Sequence, residues 1–187
     1  MKRCVCLTAI GIVAPALCTH AAIIGGDAAM IPPPDTVGNN HQQFDQLLAF
    51  DEVQNFILTT DLVLDAITIP AGTMISSHYV IYDPPGSGNT INGTVEFDGD
   101  VVAVLTRRGE MKNTDALLGA TGVDYRSPVG RGLEGVDSVT ISGPNQVTFD
   151  LTAGQPGDYI RVITIVPGPG TTTLTALAAC CAIRRRR

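Results

Sequence analysis

Serine, histidine and aspartate in close order are the ingredients of a nucleophilic relay, and one short segment holds Ser76, Ser77, His78 and Asp83. Such a relay needs the imidazole within reach of the hydroxyl, a carboxylate behind it and donors for an oxyanion. On an extended strand Ser77 and His78 point to opposite faces. The chain also has no Gly-x-Ser-x-Gly elbow, the sharp turn that presents a serine in one large hydrolase class. His78 therefore reads as an interstrand hydrogen-bonding residue. Carboxylates are the second group. Asp98 and Asp100 flank a glycine, and Asp124, Glu134 and Asp137 bracket a glycine-rich stretch. Carboxylates with loop carbonyls suit calcium, although no twelve-residue EF-hand spacing is present, and turns use Asp and Gly for conformational reasons. Asp98, Asp100, Asp124 and Glu134 are thus the candidate loop ligands, with calcium the one candidate ion and no other cofactor expected. Arg107, Arg108, Arg126, Arg131 and Arg161 form a candidate basic patch, with Arg131 and Glu134 as a local ion pair. Tyr79, Tyr82, Tyr125 and Tyr159 are a candidate sugar-stacking surface, since an aromatic face beside polar groups suits carbohydrate.

The elements that must position these residues are mostly strands. Alternating apolar positions run through Leu48 and Phe50, Phe56 and Leu58, Ile67 and Ile69, then Ile75, Tyr79 and Ile81. Val95 and Phe97 continue the pattern, with Asp98-Gly99-Asp100 as an expected hairpin turn. Val101 to Leu105 is an unbroken apolar run, the signature of a doubly buried central strand. Val139, Ile141 and Val147, Phe149, Leu151 flank Ser142-Gly143-Pro144-Asn145 as a hairpin, and Tyr159 to Ile165 is a last strand. One short helical turn is expected at Asn113 to Leu118, capped by Asn113 or Thr114. Residues 119–135 hold five glycines and a proline and read as a long surface loop. Some nine short strands at this spacing predict an antiparallel β-sandwich over residues 44–166, with a barrel as the alternative. Residues 22–43, with Gly25-Gly26, Pro32-Pro33-Pro34 and Gly38-Asn39-Asn40, read as an irregular lead-in.

Both ends carry a different kind of information. Met1, Lys2 and Arg3 are basic, Cys4 to Leu17 is apolar, and Thr19 and Ala21 are small, so residues 1–21 read as a secretory leader cut after Ala21. At the other end stand Val166, Pro167, Gly168, Pro169 and Gly170, then thirteen uncharged residues, then Arg184, Arg185, Arg186 and Arg187. The prolines stop the preceding strand. Thirteen residues of helix extend about 20 Å, short of the roughly 30 Å of a bilayer core. Terminal arginines can snorkel to a headgroup layer and mark the cytoplasmic side. Residues 166–187 therefore predict a short membrane anchor lying outside the folded domain.

This ordered tail resembles the PEP-CTERM sorting signal of exported bacterial proteins, in which a Val-Pro-Glu-Pro-type motif precedes a short apolar helix and a basic end. Gly168 stands where that family has glutamate. The body is similar as well, in Gly72-Thr-Met-Ile-Ser-Ser-His-Tyr79, Arg131-Gly-Leu-Glu134 and Pro156-Gly-Asp-Tyr-Ile-Arg161. The resemblance implies Sec-type export with a signal peptidase, cutting by an exosortase-like transpeptidase, and a cell-surface or matrix destination near extracellular polysaccharide. It implies no activity for the body.

With the ends set aside, the body changes character. All five cysteines, Cys4, Cys6, Cys18, Cys180 and Cys181, lie in the ends, so the body has no thiol nucleophile, disulfide or cysteine-held zinc. His41 and His78 are its only histidines, which excludes a histidine-rich metal site. All 18 acidic residues fall in the body against six of the 12 basic ones, leaving twelve negative charges. Such a surface repels nucleic acid and anionic lipid. Two function classes follow: a non-enzymatic surface or matrix module, which the absence of a catalytic motif favours, and a secreted hydrolase of polysaccharide or ester. The second needs a triad or two carboxylates about 5 to 9.5 Å apart in one cleft.

Overall fold

Strand-forming residues set the architecture from Ile23 onward. The computed structural model describes residues 22–38, 41–86, 88–126, 131–154 and 156–165. The expected leader at residues 1–21, Val166 to Gly170, the apolar run and Arg184 to Arg187 lie outside the described residues. In chain order the strands are β1 (Ile23–Gly26), β2 (Ala29–Met30), β3 (Thr36–Val37), β4 (Phe44–Asp51), β5 (Phe56–Ile57), β6 (Leu62–Val63) and β7 (Thr68–Ile69). After them come β8 (Met74–Asp83), β9 (Asn89–Phe97), β10 (Asp100–Leu105) and the helix α1 (Arg108–Leu118). The remaining strands are β11 (Asp124–Tyr125), β12 (Ser138–Gly143), β13 (Gln146–Ala153) and β14 (Asp158–Ile165).

Two sheets pack face to face. The outer sheet has the order β1-β9-β13-β12 and the central sheet the order β10-β14-β8-β4-β2, with β5 also on β8. Both are open at their edges, so the sandwich and not the barrel is the fold. Period two assigns the side chains. Even positions of β8 and β14, such as Val80, Tyr82, Ile160 and Val162, meet Val95, Phe97, Val147 and Phe149 of the outer sheet. Odd positions, Tyr79, Ile81, Tyr159 and Ile163, meet Met111 and Leu118 of α1, with Leu62 and Ile69 from the β6–β7 hairpin. The central sheet is thus covered on both faces, which is why β8 and β14 are buried almost end to end.

Several expectations are corrected. The doubly buried centre is β14 and β8, whereas Val101 to Leu105 is the edge strand β10. Its apolar run arises because its side chains reach both core clusters, helped by a bulge between Val101 and Ala103 that shifts the alternation. Asp98-Gly99-Asp100 is not a hairpin turn, because β9 and β10 belong to different sheets and the chain crosses between them there. Residues 22–43 are built into the fold, with β1 on β9, β2 parallel to β4 and β3 parallel to β11. Among the described residues, folded structure therefore begins at Ile23 and not near Phe44. Part of the expected long loop is likewise strand β11.

Helix α1 is eleven residues long, about twice the expected turn. Met111, Thr114 and Leu118 recur at helical spacing and bury one face. Thr114 is not a cap: its hydroxyl donates back to the Glu110 carbonyl at 2.9 Å, the local bond that lets threonine sit inside a helix. The helix stops at Gly119, where a Cβ would lie 2.6 Å from the Tyr125 ring and 2.5 Å from the Asp115 carbonyl oxygen.

Candidate functional site

The densest polar cluster lies beneath α1. Arg161 falls on an odd position of β14 and so points into the helix-side core, where its side chain and that of Glu52 are both 0% exposed. Burying a guanidinium is costly unless every donor is matched. Here all five are. Nε and Nη2 donate to the two Glu52 carboxylate oxygens at 2.7 Å each, a bidentate fork. Nη1 donates to the Met111 carbonyl at 3.0 Å and to the Thr114 hydroxyl at 2.7 Å. Nη2 also donates to Asp115 at 3.1 Å.

Glu52 is saturated in turn. It accepts from Ser77 Oγ at 2.6 Å and from the Tyr125 hydroxyl, besides Arg161. Tyr125 Oη accepts the Ala120 amide at 2.8 Å. Asp115 bridges to Arg131, whose Nη1 and Nη2 donate to it at 2.9 and 2.7 Å. Two cations therefore meet two anions, and the cluster is neutral. Tyr79 and Tyr125 each lie 5.4 Å from the Arg161 guanidinium, within cation–π range. Burial pulls the Arg161 pKa down, but the Glu52 bonds and charge outweigh it and the group stays cationic. Burial drives the Tyr79 and Tyr125 hydroxyls well above the ordinary phenol range, with Glu52 adding to it. Arg161 and both phenols therefore keep their protons near neutrality. The cluster joins β14, α1, the Glu52 corner and β11.

A second polar chain occupies the opposite face of the same strands. His78 Nδ1 lies 2.6 Å from Asp51 Oδ1 and Nε2 lies 3.0 Å from Thr164 Oγ1. Carboxylate, imidazole and hydroxyl thus stand in the order of an acyl-transfer relay. Access decides against that chemistry, because His78 and Thr164 are both 0% exposed and the imidazole packs on Phe97 at 4.8 Å. The chain ties β4, β8 and β14 together, and Asp51 also accepts the Ile23 amide of β1 at 3.2 Å. His78 is the interstrand residue the sequence suggested. The serines do not join it. Ser76 Oγ accepts the Asn55 amide, Ser77 donates to Glu52, and Asp83 accepts the amides of Gln42 and Gln43.

The loop carboxylates are dispersed. Asp98 accepts the Ala22 amide. Asp100 pairs with Ile165 at one end of β10, while the loop carrying Glu134 meets Thr106 beyond the other end. Asp124 forms an exposed pair with Arg126 at 2.6 Å. Among the described residues no three His, Cys, Asp or Glu side chains are grouped to hold a metal. The basic patch also divides: Arg107 pairs with Asp65, and Arg131 takes Asp115 in place of Glu134. Tyr79, Tyr82 and Tyr159 are core residues at 0% exposure, so the four tyrosines form no stacking surface among the described residues. A shallow pocket of about 220 Å3 at the start of α1 is lined by Arg107, Arg108, Gly132 and Glu134 among others.

Sequence reasoning passed over Glu52, Asp115, Asp51 and Thr164. The signals were faint but present: an arginine inside a run of buried β-branched residues must have a buried anion, and Asp51-Glu52 is the acidic pair at a strand corner. Among the described residues no helix is long and apolar enough to cross a membrane. Comparison of the chain with known protein families, with curated proteins and with solved structures finds no match in any of the three.

Proposed function

We propose that this chain is an exported, non-enzymatic surface or matrix protein, delivered and briefly anchored by its C-terminal residues. The observation that carries this reading is the ordered tail: the Pro-x-Pro motif at Val166 to Gly170, the uncharged run and the four terminal arginines. Its partners would be the Sec-type machinery and signal peptidase at the leader, an exosortase-like transpeptidase at the motif, and extracellular polysaccharide at the destination. The character of the body supports a structural or binding role. Its two polar clusters are spent on holding strands together, the relay-like Thr164 hydroxyl is sealed in the core, and Glu52 and Asp115 have an arginine between them where a glycosidase needs open space.

The test is intact mass and cell fractionation in a host that carries an exosortase, beside a variant lacking residues 184–187. The expected wild-type product lacks both ends and is recovered from the medium or cell surface, while the shortened variant keeps its apolar run. A wild-type chain that stays in the cytoplasm at full mass would overturn the proposal.

A further inference from the structure

β12 is the last strand of the outer sheet, and among the described residues nothing pairs with its far side. Its neighbour shows which backbone groups are left over. Thr152 of β13 turns its amide towards the β12 side, where Asp137 Oδ1 accepts it at 2.7 Å. Backbone groups alternate in direction along a strand, so Asp150 and Thr148 also face β12 and bond their partners Ser138 and Thr140. The N–H and C=O of Val139 and Ile141 therefore point away from the sheet. Bare edges are normally blunted by charge, proline or a cover. Ser138-Val-Thr-Ile-Ser142 holds no charge and no proline, and the bulge against β13 comes only after Ile141.

We propose that β12 is the contact through which two copies of this chain pair, edge to edge and antiparallel, about a two-fold axis at Thr140. The five residues read alike in both directions: hydroxyl, aliphatic, hydroxyl, aliphatic, hydroxyl. An antiparallel copy centred on Thr140 sets Val139 opposite the partner's Ile141, Ser138 opposite the partner's Ser142, and Thr140 opposite itself. Val139 and Ile141 carry the free backbone groups, so the two Val139–Ile141 pairs each exchange both bonds, about four in all. A slip of one residue sets Val139 against Thr140, whose backbone groups are already used, and turns aliphatic side chains onto the hydroxyl face.

Charge agrees with this axis. A body with twelve excess negative charges resists self-association, so a workable contact keeps acids apart. Centred on Thr140, Asp137 falls opposite the partner's Gly143, and Asp150, beside Ser138, faces across to the partner's Ser142 and then Gln146. Along these ranks no acid meets an acid. Apolar surface agrees as well. Ile141 and Ile67 are 46% and 41% exposed and line an apolar groove of about 390 Å3 between β12 and the edge strand β10. The axis stands normal to the outer sheet, so each groove opens towards its counterpart. The contact is small, and a dissociation constant on the order of micromolar is expected.

Sedimentation equilibrium of the full chain, reduced and in a nonionic detergent that keeps its apolar ends apart, should show monomer and dimer across the micromolar range. Thr140 is exposed, so substitutions there spare the monomer. Thr140→Lys and Thr140→Asp should each weaken dimerisation about tenfold or more, and their equimolar mixture should restore it, because position 140 meets only itself. Register is read by disulfide trapping, with Cys4, Cys6, Cys18, Cys180 and Cys181 replaced by serine. Thr140→Cys should then form a covalent dimer on oxidation, since residues facing each other without backbone bonds have Cα atoms about 4.5 Å apart. Ser138→Cys, also exposed on the same strand, would stand about 13 Å from its counterpart and should crosslink at least tenfold less. A wild type that stays monomeric, dimers indifferent to both charge variants, or equal crosslinking at positions 138 and 140 overturns the proposal.

Discussion

Replacing Arg161 by methionine tests the logic of the buried cluster most directly. The substitution keeps a long apolar stem against Tyr79 and removes five donated hydrogen bonds. Glu52 would keep only Ser77 and Tyr125 as donors, with its charge fully enclosed. Removing one partner of such a pair costs about 3–5 kcal/mol. With a urea slope of roughly 2 kcal/mol/M for a domain of this size, the unfolding midpoint should fall by about 2 M. Adding Glu52→Met should then recover most of the loss. The second change removes the stranded charge, while Asp115 keeps its two bonds to Arg131 and the remaining pair stays neutral. Equilibrium urea unfolding of the wild type, both single variants and the double variant closes the cycle. A single-variant loss below about 1 kcal/mol, or a double variant no more stable than Arg161→Met, would refute the charge-balance argument.

Other outcomes follow from the same geometry. In Gly157→Ala the new Cβ would lie 2.5 Å from both Asp83 Cα and the Tyr82 carbonyl oxygen, so a loss of about 1–3 kcal/mol is expected. Gly143→Ala, whose nearest neighbour is Gln146 Cβ at 3.6 Å, should stay within about 0.5 kcal/mol in the same urea assay. Burial first, then the charges of Asp137 and Glu134, push Asp158 up to about 7 from an ordinary 3.8. The fold therefore disfavours its ionised form, and the wild type should lose stability as pH rises from about 4 to 7, by at most tenfold in the folding constant per pH unit. Asp158→Asn should match the wild type near pH 4 and exceed it at pH 8; a gap that does not change with pH would contradict this. Thr164→Val leaves His78 Nε2 without its partner in a dry site and should cost about 1–3 kcal/mol. A wild-type hydrolysis of p-nitrophenyl acetate that this variant abolishes would contradict the bracing role.

The all-β class was legible because alternation is a local property, plain in Val147, Phe149 and Leu151. Position within the sheet was not. β8 looks half polar, since Ser76, Ser77 and His78 interrupt it, yet all three are buried because each finds a partner across the fold. β10 looks more apolar than β8 and is only an edge. Hydrophobicity alone ranks these two strands in the wrong order, and hydrogen-bond satisfaction reverses it. The lead-in was misread because strands of two to four residues, set between glycines and prolines, have too few positions to show a period. The central ion pair was hidden by distance along the chain, as Glu52 and Arg161 stand 109 residues apart. The tail reading came entirely from local order at the C-terminus, which no amount of packing in the body bears on.

The position of β14 has a consequence for when this protein becomes a solid object. It is the last described strand in the chain, yet it sits inside the central sheet with β8 on one side and β10 on the other. Until it arrives β10 has no neighbour in that sheet, Tyr79 lacks Arg161, and both cores lack one wall. Pairings of such long sequence separation form late and slowly. A chain emerging from its N-terminus therefore leaves this sheet unfinished until residue 165 is out. Completion of the fold and arrival of this strand are therefore one event, and a chain cut before Asp158 would leave β10 without a partner and β8 with a bare edge.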